Sequence, residues 1–298
     1  MISIVITTYD SDRLGDVSDL LESLRLQSCQ DFEIIYVTER DERLSSRVSN
    51  LLKSKGINGF VIHNDGPWGL SESRNIGVMH SNGGIIAFLD DDVLVKKDWV
   101  QSVVDAFKFG PDVIGVTGPA YPLWIGCPLD WFPPELDWLI GCTRWYHSKS
   151  VRKVRNGWGM NMAFTRDAFD KAGLFSVETG YHRGPIAEDV EFSMRVRRET
   201  GKAIYYIPDM AVFNKVYPYR TNPRFILARS SWIGYTRRAI RRLENTSERA
   251  DFSMPLTVIM ALVGLSPSSR GPGTLRRTKL TLLVLFSLGL GFVFGPLG

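Results

Sequence analysis

Three consecutive aspartates, Asp90, Asp91 and Asp92, follow an apolar run that begins at Gly83. The run predicts a buried strand, and carboxylates at its end are costly unless a cation lies beside them. Because side chains alternate along a strand, Asp90 and Asp92 are expected on one side and Asp91 on the other. A pair of acids suits Mg²⁺, which binds one or two protein carboxylates together with substrate phosphates. By themselves, the three residues fit a solvated loop equally well.

A second group of acids, Glu188, Asp189 and Glu191, stands at the start of a helix predicted over residues 187–201. Acids are favourable at a helix amino terminus by about 0.3–1 kcal/mol, and capping of this kind explains one of them. In a transferase that acts on a hydroxyl, one carboxylate can instead be the general base that takes the acceptor's proton. The residues leave both interpretations open.

Arg74 lies in the segment GLSESRNIG, residues 69–77, where a helix is predicted to begin. A guanidinium beside the positive end of a helix suits a phosphate group, although a surface salt bridge also explains an arginine there. The chain has no G-x-x-x-x-G-K-[ST] loop, and the GLGLG segment near its end has no strand-turn-helix context. The sequence therefore does not predict a P-loop or a Rossmann dinucleotide site.

Apolar β-branched runs alternate with helix-like patterns along the first third of the chain. Strands are predicted at 2–9, 32–39, 59–65 and 84–90, and helices at 16–28, 43–56 and 70–83. A strand is further predicted within 110–122, and a last pair of strands within 203–216. This order predicts an α/β fold with a mostly parallel central sheet flanked by helices. Ligands of such sheets bind beyond the carboxyl ends of the strands, where the aspartates stand.

Residues 216–298 contain 12 Lys and Arg against 3 Asp and Glu, whereas residues 1–215 contain 24 against 29. Six of these arginines fall within 222–243, a pattern typical of a basic amphipathic helix on anionic lipid. Residues 279–298 have no charge after Lys279 and approach the roughly 20 apolar residues that cross a bilayer. A shorter apolar segment spans 252–265. These segments also fit helices of a soluble subdomain, but together they favour lipid over nucleic acid as the partner.

Six segments occur in an order that resembles family 2 glycosyltransferases of GT-A fold, which are inverting enzymes that use nucleotide sugars. They are SIVITTYD, FEIIYVTE, GLSESRNIG, IAFLDDDV, NGWGMNMAF and IAEDVEFSMR, within residues 1–215. The resemblance implies a nucleotide-sugar site formed by Thr8, Tyr9, Glu39, Arg74, Asp90 and Asp91. It implies that Asp92, with Asp90, holds a Mg²⁺ or Mn²⁺ cofactor and that Asp189 is the catalytic base. Acceptor or diphosphate contacts are expected from Trp158, Glu188 and Asn214.

The chain departs from the family pattern at three points. Thr38 and Glu39 stand where the family has two aspartates, which leaves the identity of the nucleotide open. Asn214 replaces a histidine that helps many relatives hold the metal or the diphosphate. The Q-x-x-R-W signature of processive synthases is absent, so processive polymerisation is not expected.

The resemblance and the tail together divide the chain into regions. Residues 1–215 are the predicted catalytic domain, with a nucleotide-sugar half over 1–118 and an acceptor half over 119–215. They are followed by a basic amphipathic region over 216–250 and a hydrophobic, membrane-associated tail over 251–298. Because the amino terminus lacks the features of a secretory signal, we expect the enzyme at the cytoplasmic face of the cell membrane, peripheral or anchored by its tail.

The expected activity is the inverting, metal-dependent transfer of a sugar from a nucleoside diphosphate sugar, and the expected nucleotide of this donor is UDP. The acceptor is a hydroxyl of a lipid-linked saccharide, or a polyprenyl or dolichyl phosphate, because the layout is similar to enzymes of lipid-linked glycan assembly. Two alternatives remain. Thr38 and Asn214 suggest a membrane-bound scaffold of the same fold without turnover, and a similar sheet with similar acids also serves nucleotidyltransferases.

Overall fold

The computed structural model describes residues 1–129, 131–143, 149–179, 187–243 and 274–295. The chain forms two compact units. The larger contains Met1–Tyr121 and Ser148–Asn214, and the smaller contains Pro122–His147 and Lys215–Gly298. All of the predicted site residues belong to the larger unit, whereas residues 122–147, placed in the acceptor half from the sequence, group with the C-terminal region.

An eight-stranded sheet forms the larger unit's core. Its strands are β1 Ile2–Thr8, β2 Phe32–Glu39, β3 Gly59–Asn64, β4 Ile85–Asp90, β6 Val113–Thr117, β8 Arg152–Val154, β9 Asn161–Thr165 and β10 Ala203–Tyr206. They lie in the order β3-β2-β1-β4-β9-β6-β10-β8. The first four pair in parallel, and β9 runs antiparallel between β4 and β6. A second sheet has the order β5-β11-β7, with β5 Val93–Val95, β7 Ala120–Trp124 and β11 Val212–Val216. The predicted mostly parallel sheet is confirmed, but β10 and β11 belong to different sheets.

Helices cover both faces of the large sheet. They are α1 Leu14–Arg25, α2 Glu42–Ser54, α3 Leu70–Met79, α4 Trp99–Ala106, α5 Arg166–Ala172 and α6 Glu188–Thr200. Along β1, Ile4 and Ile6 pack into one apolar cluster with Leu20 of α1, whereas Val5 packs into another with Phe192 of α6. Because both faces of the sheet are buried, successive residues of β1 such as Ile4, Val5 and Ile6 are apolar instead of alternating with polar ones.

Strand register brings chemically active residues to one edge of the sheet. Thr8 pairs with Thr38, Thr7 pairs with Asp90, and Glu39 pairs with Asn64. Helix α3 approaches this layer closely at Gly77, where an added Cβ would lie 2.3 Å from Cγ1 of Val5. A larger residue there would push α3, and the Arg74 it carries, away from the sheet.

The smaller unit is built around two long helices, α7 Pro223–Leu243 and α8 Thr274–Phe294. They pack closely because Gly291 lies against the backbone of Ser231, where an added Cβ would be 1.8 Å from the carbonyl oxygen. Leu136, Ile226 and Val284 contribute to its buried core. The predicted basic helix is thus α7, and the apolar segment at 279–298 largely coincides with α8. The segment 252–265 lies outside the described residues.

Helix α8 carries a strongly apolar exposed surface. Within the described part of the chain, Leu275–Phe294 has the length and composition to cross a membrane, with a mean hydropathy of 1.6. Its outward side chains include Leu282, Leu283 and Phe286, of which Phe286 is 67% exposed. Exposed apolar surface of this extent suggests contact with lipid or with another apolar surface.

Candidate active site

The aspartate triplet lies where β4 ends. Asp90 is the last residue of β4, and Asp91 and Asp92 form the turn that leads to β5. Asp92 Oδ2 lies 2.9 Å from Nη1 of Arg13, and Asp91 Oδ1 lies 4.0 Å from the same nitrogen. Asp90 Oδ1 instead lies 3.3 Å from Nη2 of Arg74. The expected alternation does not continue past Asp90, because it requires extended strand geometry.

Asp91 is held at the end of β1 by Thr8, whose hydroxyl donates to Asp91 Oδ2. The pKa of Asp91 is raised from 3.8 to about 7, chiefly by burial and in addition by the charges of Asp92 and Asp90. The Thr8 hydrogen bond and Arg13 oppose it. At neutral pH Asp91 is therefore partly protonated.

Arg74 joins the two acidic segments. Its Nη1 donates to Glu188 Oε1 at 2.8 Å, and its Nη2 lies 3.3 Å from Asp90 Oδ1 and donates to the Gly159 carbonyl at 3.1 Å. The side chain is 3% exposed. Two aromatic rings, of Phe88 and Phe175, flank the guanidinium at 5.9 and 5.8 Å. The end of β4 and the start of α6 thus meet at one buried cation.

Asp189 is fixed beside this junction by backbone donors. The N–H of Gly159 donates to its Oδ2 at 2.8 Å, and the N–H of Val190 donates to its Oδ1 at 2.8 Å. The pKa of Asp189 is raised from 3.8 to about 6, first by burial and then by the neighbouring Glu188 carboxylate, while Arg74 opposes the rise. Such a carboxylate is ionised at neutral pH yet accepts a proton more readily than an ordinary aspartate.

The region predicted for the nucleoside contains one exposed aromatic ring and one buried acid. Tyr9 is 57% exposed, and the Arg40 guanidinium lies 4.8 Å from its ring centroid. Glu39 Oε2 accepts from the Gly69 N–H at 2.9 Å and from the Ser73 hydroxyl at 3.1 Å. Since Gly69 precedes α3, Glu39 also fixes the start of the helix that carries Arg74.

Trp158 and Asn214, predicted to contact acceptor or diphosphate, lie in different parts of the fold, Trp158 shortly before β9 and Asn214 within β11. The backbone N–H of Trp158 donates to the Thr117 hydroxyl at 3.2 Å, and the Trp158 ring packs edge-on against the Tyr206 ring, with 6.0 Å between the ring centroids. Asn214 is buried in β11 and pairs with Val93, the residue after the aspartate triplet. Asn214 is thus brought next to the acidic turn by strand pairing.

Sequence reasoning missed three residues of this site, Arg13, Arg40 and Gly159. Arg13 precedes Asp16 by three residues at the start of a helix, a spacing that favours an ion pair, but its contact with Asp92 depends on the fold. Arg40 has a φ of 74°, a left-handed conformation uncommon outside glycine. Gly159 contributes through its backbone, which no side-chain pattern reveals.

The acids at this turn fit a divalent metal ion to which the protein would supply only some of the ligands. Carboxylate oxygens are ligands that Mg²⁺ and Mn²⁺ prefer, and the Asp92 side chain is 5% exposed. Within the described ranges, no group of three His, Cys, Asp or Glu side chains is placed to hold a metal. The triplet suits an ion that takes further ligands from a substrate diphosphate and water.

The sequence is similar to known proteins along most of its length. The profile of the family described as glycosyl transferase family 2 matches residues 3–173. The chain is 28% identical over 303 residues to the glucosyl-dolichyl phosphate glucuronosyltransferase of Haloferax volcanii, across 99% of this chain and 96% of that protein.

The fold is shared by solved structures, among them two that hold Mn²⁺ and a nucleotide or nucleotide sugar. One is a mannosyltransferase of Pyrobaculum calidifontis in complex with GDP-Man and Mn²⁺, with a TM-score of 0.65 and 14% identity over 98% of this chain and 87% of that chain. The other is GalNAc-T7 with UDP, GalNAc and Mn²⁺, with a TM-score of 0.57 and 15% identity. The match covers 86% of this chain and 53% of that chain. These structures confirm the predicted GT-A fold, and the family match over residues 3–173 confirms the predicted glycosyltransferase class. The chain belongs to glycosyl transferase family 2.

Proposed function

We propose that this glycosyltransferase moves a sugar from a uridine diphosphate sugar to a hydroxyl of a saccharide carried on dolichyl or polyprenyl phosphate, with inversion at the anomeric carbon. The observation that carries the proposal is the buried Arg74, which contacts Asp90 and Glu188. It supports one shared site for the acids of the donor side and for Asp189, the neighbour of Glu188.

In this mechanism, Asp189 removes the proton from the acceptor hydroxyl as that oxygen attacks the anomeric carbon. The Gly159 and Val190 N–H groups hold its two oxygens and so orient the carboxylate. Direct attack in one displacement inverts the configuration at that carbon. Asp92 and Asp90 are the residues that would hold a divalent metal, which when bound neutralises charge on the departing diphosphate. Thr8, Tyr9 and Glu39 line the donor side, with Tyr9 available for stacking on the base.

The lipid-linked acceptor is supported by the tail as well as by the name of the Haloferax relative. Helix α8 exposes Leu282, Leu283 and Phe286, a surface that suits acyl chains. Helix α7 belongs to a region rich in arginine, which favours an anionic membrane surface. We place the enzyme at the cytoplasmic face of the membrane, where nucleotide sugars are available to its catalytic domain.

The purified full-length chain, assayed with a panel of nucleotide sugars, Mn²⁺ and glucosyl-dolichyl phosphate, tests this function. We expect release of the nucleoside diphosphate and a glycolipid whose new linkage has the opposite anomeric configuration to the donor, read by NMR. Pyrophosphate release would identify a nucleotidyltransferase instead. Absence of turnover with every donor, despite bound nucleotide, would favour the inactive scaffold.

The rate of transfer should depend on the ionisation of Asp189. Because its pKa is raised to about 6, kcat/KM is expected to be level above that pH and to fall about tenfold per pH unit below it, as the base becomes protonated. Initial rates between pH 5 and 8, at constant ionic strength, measure this profile. Nucleotide affinity over the same range serves as the control, and a rate that stays level down to pH 5 would contradict the assignment.

A further inference from the structure

Arg13 lies among three carboxylates at the acidic turn. Its Nη1 is 2.9 Å from Asp92 Oδ2, 3.4 Å from Asp16 Oδ2 and 4.0 Å from Asp91 Oδ1. The side chain is 24% exposed, whereas the Asp16 and Asp92 side chains are 6% and 5% exposed. These two acids are therefore largely removed from water, and the guanidinium is a cation that compensates for that loss.

The backbone places Arg13 there with little freedom. Residues Ser11–Arg13 form a short 3-10 turn that follows β1, and the Asp10 carboxylate accepts from the Asp12 N–H at 2.9 Å. Arg13 then occupies the N-cap position of α1, without a capping hydrogen bond from its side chain. The preceding strand is tied to the acidic turn through Thr8 and Asp91. The turn that carries Arg13 and the turn that carries Asp92 are thus held together.

A divalent ion at Asp92 has to compete with this guanidinium. Without a donor, the ion must displace the guanidinium from a largely buried carboxylate, which costs the energy of a formed ion pair. When the ion arrives with a nucleoside diphosphate, the diphosphate offers the released guanidinium a bidentate anionic partner. The competition is then relieved, so metal and nucleotide strengthen each other's binding.

We propose that Arg13 is the internal counter-ion of the acidic turn, which suppresses metal binding in the absence of donor and pairs with the donor's diphosphate when metal and nucleotide bind together. The inference rests on the proposed function, because it takes Asp92 to be a metal ligand. It makes Arg13 a donor-site residue that couples two binding events. A purely structural ion pair would stabilise the fold without such coupling.

Mn²⁺ binding followed by electron paramagnetic resonance, with and without UDP, tests the inference on Arg13→Gln. We expect the variant to bind Mn²⁺ at least about tenfold more tightly than wild type without UDP, and UDP to improve Mn²⁺ affinity less in the variant. Arg25→Gln is the matched control, since Arg25 pairs with the exposed Glu22 on α1 away from the acidic turn. It should retain wild-type affinities. Equal or weaker Mn²⁺ binding by Arg13→Gln would overturn the inference.

A second measurement on the wild-type protein remains decisive if Arg13→Gln fails to fold. The side-chain N–H signal of Arg13, assigned by its loss in Arg13→Lys, should shift in nitrogen–proton NMR spectra when Mg²⁺ and UDP are added together. Mg²⁺ alone at the same concentration should leave it in place. An unmoved signal in the presence of both ligands overturns the role of Arg13. If wild type with UDP binds no divalent ion by either method, the proposed metal-dependent function fails, and the inference fails with it.

Discussion

Replacement of Asp189 by asparagine is expected to lower the transfer rate by about 10²–10⁴-fold, the contribution of a general base. The amide keeps the size of the side chain and can still accept from the Gly159 N–H, but it cannot take the acceptor's proton. Nucleotide affinity should stay within about threefold of wild type, because Asp189 lies on the acceptor side of the proposed site. Single-turnover rates together with UDP binding by calorimetry separate the two effects.

Glu191→Gln is the matched control for this change. Glu191 also lies in the first turn of α6, but its carboxylate pairs with Arg195 at 2.8 Å. It should therefore change the rate by less than about threefold, since a partly exposed ion pair of this kind contributes up to about 1 kcal/mol. Full activity of Asp189→Asn, or equal losses in both variants, would rule out Asp189 as the base.

The first half of the sheet could be predicted because its signals are local. The segment 32–39, which is rich in β-branched and aromatic residues, forms β2 over the same residues. Helix α1 buries Val17, Leu20, Leu21 and Leu24, the helical spacing visible in the sequence. The insertion of β9 between β4 and β6 was not predicted, because strand order depends on contacts between distant segments rather than on any local pattern.

The same distinction applies to the site. Acids at the carboxyl ends of strands were predicted from strand polarity, and the structure brings Asp90 and Glu188 to Arg74. Arg13 was missed because its partner Asp92 is distant in the chain, and only the pairing of β1 with β4 brings them together. The orientation of the Asp92 side chain could not be predicted either, because side chains do not alternate regularly in the turn that follows Asp90.

Arg74→Met is expected to lower the free energy of unfolding by about 3–5 kcal/mol, as removal of one partner from a buried ion pair does. Methionine keeps much of the apolar stem between Phe88 and Phe175, but it leaves the buried Glu188 carboxylate without this cation. Urea denaturation with the full-length chain measures the loss. Transfer should also fall by at least about 10²-fold, because the start of α6 loses the contact that positions it.

An electrostatic consequence separates Arg74 from an ordinary structural residue. Arg74 lowers the pKa of Asp189 against the effects of burial and Glu188, so its removal should raise that pKa and move the fall in residual kcat/KM to a pH above 6. Arg166→Met is the matched control, because Arg166 donates to the carbonyls of Ser81 and Gly83 rather than to an acid. It should destabilise the protein without shifting the pH profile. A shift in both variants, or in neither, would mean that the Arg74 charge does not set the ionisation of Asp189.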